Sequence, residues 1–405
     1  MDPPSWCVAH GERSLARAIV ALRFPECQRI LIPELGWRAL FTVSWRALSV
    51  PCYKRGLAAD DEVQRAPTLE DVARVAGVSR ATVSRVVNDT RNVDRRIREV
   101  VQAAVAQTGY VPNQAARSLV TRRTGSVALV VSEAEHRSFD DPFLGRVFTD
   151  PFFGRVVSGI ISVLRPRAVN LVLMLAETDD SRSQLIDYLR QGHVDGVMLI
   201  STHADDPLPS MLTDSGLPTV LSRRPSTPIP ISYVDAAQHA GAGLAADRLA
   251  ERGCRQVATI SGPMDMPAGQ DRLHGFREAM ARHGQAFVPS VEGNFTQDSG
   301  ERAMRELLER YPDIDGVFAA NDLMAQGALL ALHDRGIAVP GQVAVVGFDD
   351  SSAATASRPP LTTVRQPIED MAAAMAELLL AHIDRRQARV TSRIFEPTLV
   401  VRESA

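Results

Sequence analysis

"AGVSRATVSRVVN", residues 76–88, puts two arginines on a stretch with the apolar spacing of a short, half-buried helix. Gly77 and Val78 interrupt the helical pattern before it. Ser79 is a good N-cap, because its hydroxyl can accept from a free backbone N–H. Stepping about 100° per residue, Arg80, Ala81, Ser84 and Arg85 share one face, and Val83, Val86 and Val87 take the other. The preceding "TLEDVARVA" has its own cap at Thr68 and apolar residues Leu69, Val72, Ala73 and Ala76 at helical spacing. Two short helices joined by a glycine turn of about three residues define a helix-turn-helix. A third helix is expected over "VDRRIREVVQAAVAQTG", with Asp94 as N-cap, Ile97, Val101, Ala104 and Val105 as its apolar stripe, and Gly109 as C-cap. Three such helices share a small core and leave the polar face of the second one free.

Charge says what that face meets. The chain of 405 residues carries a net charge of −3, yet residues 68–123 hold ten arginines against five acids. A basic module on an acidic body is the footprint of binding to a phosphate backbone. The bland alternative is a solvated, arginine-rich hairpin that binds another protein, and the helix-turn-helix spacing argues against it.

"TLEDVARVAGVSRATVSRVVND", followed by "GYVPNQAARSLVTRRTGSVALVV", resembles the DNA-binding headpiece and hinge of the lactose-repressor (LacI/GalR) family of bacterial transcription regulators. The resemblance continues to about residue 402. It implies that residues 80–87 form a recognition helix in the major groove. Arg80 and Ala81 then hold the two positions that vary most with operator sequence. Thr82, Ser84 and Arg85 take further base or phosphate contacts, and Asn88 lies near the backbone. Thr68 and Ser79, at the two caps, complete the headpiece set. Arginine is the commonest bidentate reader of guanine, so Arg80 implies a G in each half-site. "PNQAARSLV", residues 112–120, corresponds to the family's hinge helix, which folds on operator DNA. Leu119 matches the leucine that wedges into the central minor-groove step, with Asn113, Ala116 and Arg117 packing or contacting phosphate beside it. The alternative for this segment is a plain linker.

The remainder reads as an α/β sensor. Apolar, β-branched runs recur between helical patterns: "SVALVVS", "VNLVLML", "DGVMLIS", "PTVLS", "QVATIS", "DGVFAA" and "QVAVVGF". Strands alternating with amphipathic helices predict parallel sheets covered on both faces. About 280 residues suit two lobes rather than one sheet. Ligands in such folds bind in the crevice at the carboxyl ends of the strands. Asn321 and Asp322, Asp349 and Asp350, and Arg223 all land at such ends. Asp, Asn and a fork-shaped Arg suit sugar hydroxyls, each of which both donates and accepts. The resemblance assigns effector contacts to Arg272, Asn321, Asp349 and Gln366, with Phe152 and Phe153 as an aromatic wall. Asp322 and Asp350 read better as helix or turn caps.

Two stretches depart from the family pattern. "DPFLGRVFTDPFFGRVV" holds a near-repeat, Asp141–Val147 and Asp150–Val156, where the family has one copy. The first helix of the sensor is placed after Pro151, and the first copy is read as an extended loop over a larger ligand. In the other register Phe143 replaces Phe152. The second departure is residues 1–66, which hold all three tryptophans, three of the four cysteines and the only lysine, Lys54. This extension reads as a start assigned too early or a disordered appendage, with an added interaction helix as the alternative. It lacks the pattern of a signal peptide, and "ILIPELGWRALFTVSW" is too interrupted by charge to span a bilayer.

The expected organisation is therefore an extension over residues 1–66 and an all-α helix-turn-helix headpiece over 67–111. A hinge helix and linker follow over 112–124. A two-lobed, periplasmic-binding-protein-like α/β domain over 125–405 binds the effector and dimerises. Cys254 is alone in the family-like region and the nine histidines show no metal-ligand spacing, so no disulfide, metal or cofactor is expected, and the cytosol is the expected compartment. Enzyme readings are weak. "GAGLAA" at 241–246 sits within a small-residue helical pattern rather than a glycine turn, and the adjacent pairs Asp179/Asp180, Asp205/Asp206 and Asp349/Asp350 fit turn capping better than paired catalytic carboxylates. The expected protein is a homodimeric repressor of a palindromic operator, controlled by a mono- or oligosaccharide. Without C-terminal leucine heptads no tetramer is expected. The competing class is a periplasmic-type sugar-binding protein without a role in transcription.

Overall fold

In the computed structural model, the residues described are 66–88, 93–111, 123–133, 143–200, 203–384 and 389–405. The extension lies outside them, as do the hinge residues Asn113, Ala116, Arg117 and Leu119.

The headpiece is built from α1 (Leu69–Ala76), α2 (Arg80–Val87) and α3 (Arg95–Thr108). Each helix starts where a side chain takes up its loose backbone donors. The Asp71 carboxylate accepts from the N–H and hydroxyl of Thr68 at 2.9 and 2.7 Å, Ser79 accepts from Thr82 N at 3.2 Å, and Asp94 accepts from Arg96 N at 2.9 Å. Gly77 ends α1 in the left-handed region, at φ 65°, which turns the chain into α2 at no Cβ cost. Val72, Val83, Val86, Val101 and Ala104 form the buried core. Ile97, expected in the α3 stripe, is instead 37% exposed, because α1 and α2 contact α3 further along.

Beyond the headpiece lie two six-stranded sheets. Sheet A runs in the order β11 (Ser392–Phe395), β5 (Ser232–Ala236), β4 (Thr219–Ser222), β3 (Val197–Ile200), β1 (Ser126–Ser132), β2 (Asn170–Ala176). Sheet B runs in the order β12 (Thr398–Val400), β10 (Thr362–Arg365), β9 (Ala344–Asp349), β8 (Gly316–Ala319), β6 (Val257–Ser261), β7 (Ser290–Glu292). All pairings are parallel except β10 with β12.

Both sheets are covered on both faces, as continuous apolar runs require. In lobe 1, Val127, Leu129 and Val131 pack with α5 (Pro151–Leu164) and α13 (Ile368–Asp384). The alternate residues Ala128 and Val130 pack with α6 (Asp179–Arg190) and α7 (Leu208–Ser215). In lobe 2, α10 (Gln297–Arg310) and α11 (Asp322–Asp334) cover one face of the sheet, and α8 (Gln238–Glu251) and α9 (Pro267–Arg282) cover the other. A short α4 (Phe143–Thr149) precedes α5, and α12 (Ser352–Ala356) follows β9. The first copy of the near-repeat is thus a helix, not an extended loop. Val147 explains why, since it joins the lobe 1 core at 5% exposure.

The chain passes between the lobes three times: after β5 into α8, after β10 into α13, and after β11 into β12. Three crossings at one edge of both sheets make a hinge and leave a cleft between the strand ends. The "GAGLAA" run lies inside α8, largely buried against α9. Gly275 of α9 allows that approach. A Cβ there would collide with the carbonyl of His239, coming within 2.8 Å of its carbon. Gly275→Ala is expected to destabilise the protein by about 1–3 kcal/mol, as overpacking against rigid backbone does, and urea unfolding checks it.

Candidate effector site and DNA-reading face

On α2 the free face is as the periodicity demands. Val83 and Val86 are buried, while Arg80, Ala81 and Arg85 are exposed and Thr82, Ser84 and Asn88 are intermediate. Arg80 Nε lies 2.9 Å from Glu70 Oε1 of α1, a solvated pair that duplex DNA can displace. Asn88 Nδ2 donates to Ser84 Oγ at 3.3 Å, tying the end of the helix.

The cleft is organised by a buried cation. Arg272, on α9, is 2% exposed, which is tolerable only if its donors are used. Its Nε donates to Gln238 Oε1 at 2.8 Å and one terminal nitrogen to the carbonyl of Ala320. The other lies 3.5 Å from Asp349 Oδ1. The guanidinium carbon sits 3.8 Å from the centroid of Phe348, and Phe348, Phe318 and Phe276 continue as an aromatic stack into the core. Burial lowers the Arg272 pKa to about 10, against the pull of Asp349, so the group stays charged at neutral pH. Gln238 Nε2 donates to Gln366 Oε1 at 2.9 Å, and Gln366 Nε2 donates to Asp349 Oδ1 at 2.6 Å. The chain Arg272–Gln238–Gln366–Asp349 thus joins α9, α8, the second crossing and β9.

Asp349 holds a left-handed backbone at φ 107°, a strained conformation for a non-glycine residue. Burial raises its pKa against the opposing pull of Arg272. Asn321 caps α11, accepting from Met324 N at 2.9 Å, while its amide donates to Phe295 O at 2.9 Å. From lobe 1, Arg223 enters with φ 92° and its guanidinium carbon 5.8 Å from the Phe152 ring. One of its terminal nitrogens is buried without a hydrogen-bond partner, a cost that a ligand oxygen would remove. Phe152 and Phe153 meet edge to face, with centroids 5.4 Å apart.

The structure therefore brings together Phe152, Arg223, Arg272, Asn321, Asp349 and Gln366. Asp350 turns away to ion pairs with Arg365 and Arg402 at 2.6 and 2.5 Å. Asp322 is buried, accepting from Ser351 N and the Thr363 hydroxyl, each at 2.6 Å. Both are tied up in contacts within lobe 2, although neither caps the helix it adjoins: Asn321 caps α11, and Asp350 is held by its ion pairs.

Sequence reasoning missed four residues. Gln238 completes the chain above, and Phe295, at φ 68°, lies 5.9 Å from the Arg272 guanidinium carbon. Arg155, on α5, grips Glu369 with both prongs at 2.6 and 2.8 Å and donates across the lobes to Asp349 O at 2.8 Å. Asp150 caps α5 through Phe152 N at 2.9 Å. Burial pushes its carboxyl up to about 6; the Phe152 N–H opposes this, Asp349 adds to it, and Arg223 and Arg272 oppose it. Its position directly before Pro-Phe-Phe was the available signal. Among the described residues no group of His, Cys, Asp and Glu could hold a metal ion, and no helix is long and apolar enough to cross a membrane.

A helix-turn-helix module joined to a two-lobed, clefted α/β sensor defines a ligand-controlled DNA-binding regulator. Residues 68–113 match bacterial regulatory proteins of the lacI family, and residues 246–405 match a periplasmic binding protein-like domain. The chain is 46% identical over 348 residues to the HTH-type transcriptional regulator CelR of Thermobifida fusca, covering 85% of this chain and 99% of that one. It is 32% identical to the ribose operon repressor of Escherichia coli K12, covering 84% and 99%. Among solved structures it resembles a CelR–cellobiose complex (44% identity, TM-score 0.66, covering 84% of this chain and 100% of that one). It also resembles the lac repressor dimer bound to operator and the anti-inducer ONPF (25% identity, TM-score 0.72, covering 84% and 99%). The chain belongs to the LacI family of bacterial transcriptional regulators.

Asp150 supplies a test of the site's electrostatics. The folded chain holds its proton to about pH 6, whereas an unfolded aspartate releases it near 3.8. The folded state therefore binds more protons in that window, and this group's contribution to stability falls as pH rises through it. Asp150→Asn keeps a cap acceptor and removes the titration. Wild type is expected to lose up to about 3 kcal/mol relative to the variant between about pH 4 and 6, and nothing further above about 7. Urea midpoints across pH read the difference.

Proposed function

We propose that this chain is a non-enzymatic, cytoplasmic repressor that binds a palindromic operator as a homodimer and releases it on binding a sugar. The observation that carries the sugar reading is the cleft itself. Carboxylates, a carboxamide, the buried guanidinium of Arg272 and the half-buried one of Arg223 converge beside aromatic rings, and one nitrogen of Arg223 is left without a partner. Alternating donors and acceptors with an apolar ring face is what a pyranose presents. A β-linked glucose disaccharide is the favoured effector, because the 44%-identical structure is a complex with cellobiose. Closure around the sugar binds one lobe arrangement better than the other, and that difference lowers operator affinity. The headpiece argues against a periplasmic-type binding protein without a role in transcription.

The decisive experiment selects a palindromic site from random duplexes with the purified protein, then titrates cellobiose into the complex with glucose as control. Release by cellobiose at sub-millimolar concentration is expected; no preference for any palindrome over random DNA overturns the reading. Arg80→Ala is expected to cost about 1–3 kcal/mol of discrimination at one base pair per half-site, read by anisotropy on operator variants. Leu119→Ala is expected to reduce specific binding more than non-specific binding. Arg272→Ala is expected to leave operator binding intact and abolish release by the sugar.

A further inference from the structure

Away from the hinge, the mouth of the cleft holds a second polar cluster that plays no part in the network around Arg272. His203, in the segment after β3 of lobe 1, is buried, and its Nδ1 lies 3.0 Å from Oδ2 of Asp265. Asp265 follows β6 of lobe 2, so the contact crosses the cleft. A second bond crosses beside it, from Ala204 N to Asp265 O at 3.1 Å. On the lobe 1 side, Glu133 Oε1, just past β1, lies 2.5 Å from its Nε2. Glu133 is in turn fixed through its carbonyl, which accepts from buried Arg182 at 2.7 Å. At 6% exposure the imidazole is packed in place rather than swinging free.

Position decides what such a contact does. The crossings lie at the β5 and β10 edges of the sheets, whereas β3 and β6 stand two and three strands away, roughly 10–15 Å at the usual strand spacing. Rotation about the hinge opens the mouth most and moves residues beside the crossings least. The bridge from Arg155 to Asp349 and Gln366 lies next to the hinge and tolerates opening. The bonds from His203 and Ala204 to Asp265 span the mouth, so a rotation that opens it would break them.

We propose that His203 and Asp265 form a latch that sets the balance between open and closed cleft, and through it the affinity for effector. The inference rests on the sensor reading above but not on the identity of the sugar. A ligand that binds the closed form has its intrinsic affinity multiplied by the closed fraction, so loss of the latch weakens binding while every contact to the ligand stays in place. His203 and Asp265 are positioning residues for closure.

The test uses full-length wild type, His203→Ala, Asp265→Ala and the double variant. Ala204 is an exposed residue, and the bond its N–H makes runs across the cleft, so its amide exchange reports closure in the ligand-free protein. Asp265→Ala retains the backbone carbonyl that accepts this bond, so faster exchange there means opening and not a deleted acceptor. Exchange at Ala204 is expected to speed up about tenfold in either single variant, and the cellobiose Kd to rise about tenfold, with the double variant no worse than the singles. Unchanged Ala204 exchange in Asp265→Ala overturns the latch, and so do losses that add in the double variant. Failure of wild type to bind cellobiose would count against the proposed effector alone, because the exchange experiment needs no ligand.

Discussion

A guanidinium cannot be buried unless its donors are met, and in this protein that constraint falls on Arg272. Its partners come from four separated parts of the chain: the start of α8, the end of β8, the end of β9 and, through Gln238, the second crossing. Satisfying one side chain thus fixes the relative placement of α8, α9, the ends of β8 and β9 and the second crossing on lobe 2's side of the cleft. The aromatic stack beneath it makes the same demand from below, since Phe276 lies one helical turn beyond Arg272 on α9. Burial costs this cation enough to lower its pKa, so the arrangement is not an optimum for stability. The cost goes with polar groups held ready at a ligand site, where strained backbone at Arg223, Phe295 and Asp349 also collects.

Arg155 imposes the complementary constraint from lobe 1. Its fork is saturated by Glu369 and by carbonyls of lobe 2, so α5, α13 and the end of β9 meet at one charged group. Asp150 and Phe152 sit one turn earlier on the same helix. A change at the cleft-facing start of α5 is therefore carried to the hinge by a rigid helix rather than by a chain of loose contacts. That arrangement gives a binding event a physical route to the orientation of the lobes.

How much of this could be read from the amino-acid order depended on range. The headpiece was legible almost to the residue, because caps at Thr68, Ser79 and Asp94 and turns at Gly77 and Gly109 act within four positions. Strands made of unbroken β-branched runs were legible too. β5, "SYVDA", was not, since a tyrosine and an aspartate interrupt its apolar pattern, and β7 is only three residues long. The run "SRIFEPTLVV" forms two strands, in different lobes, because Glu396 and Pro397 make the third crossing. No local pattern distinguishes a turn from a passage between lobes.

The site shows the same division. Residues at strand ends, such as Asn321 and Asp349, announced themselves by position. Gln238, Phe295 and Arg155 did not, because each acts through a partner at least 26 positions away. The near-repeat drew attention to which phenylalanine lines the pocket, whereas the more informative residue is the aspartate ahead of the second copy. Asp150 is at once a helix cap and a carboxylate facing two arginines, and only the capping role follows from its neighbours in the chain. Its charge environment is set by Asp349, Arg223 and Arg272, which reach the cleft from both lobes, so opening the lobes removes part of the burial that raises its pKa. Cleft opening and the ionisation of Asp150 are thus linked through the same few side chains, and a change in one is felt by the other.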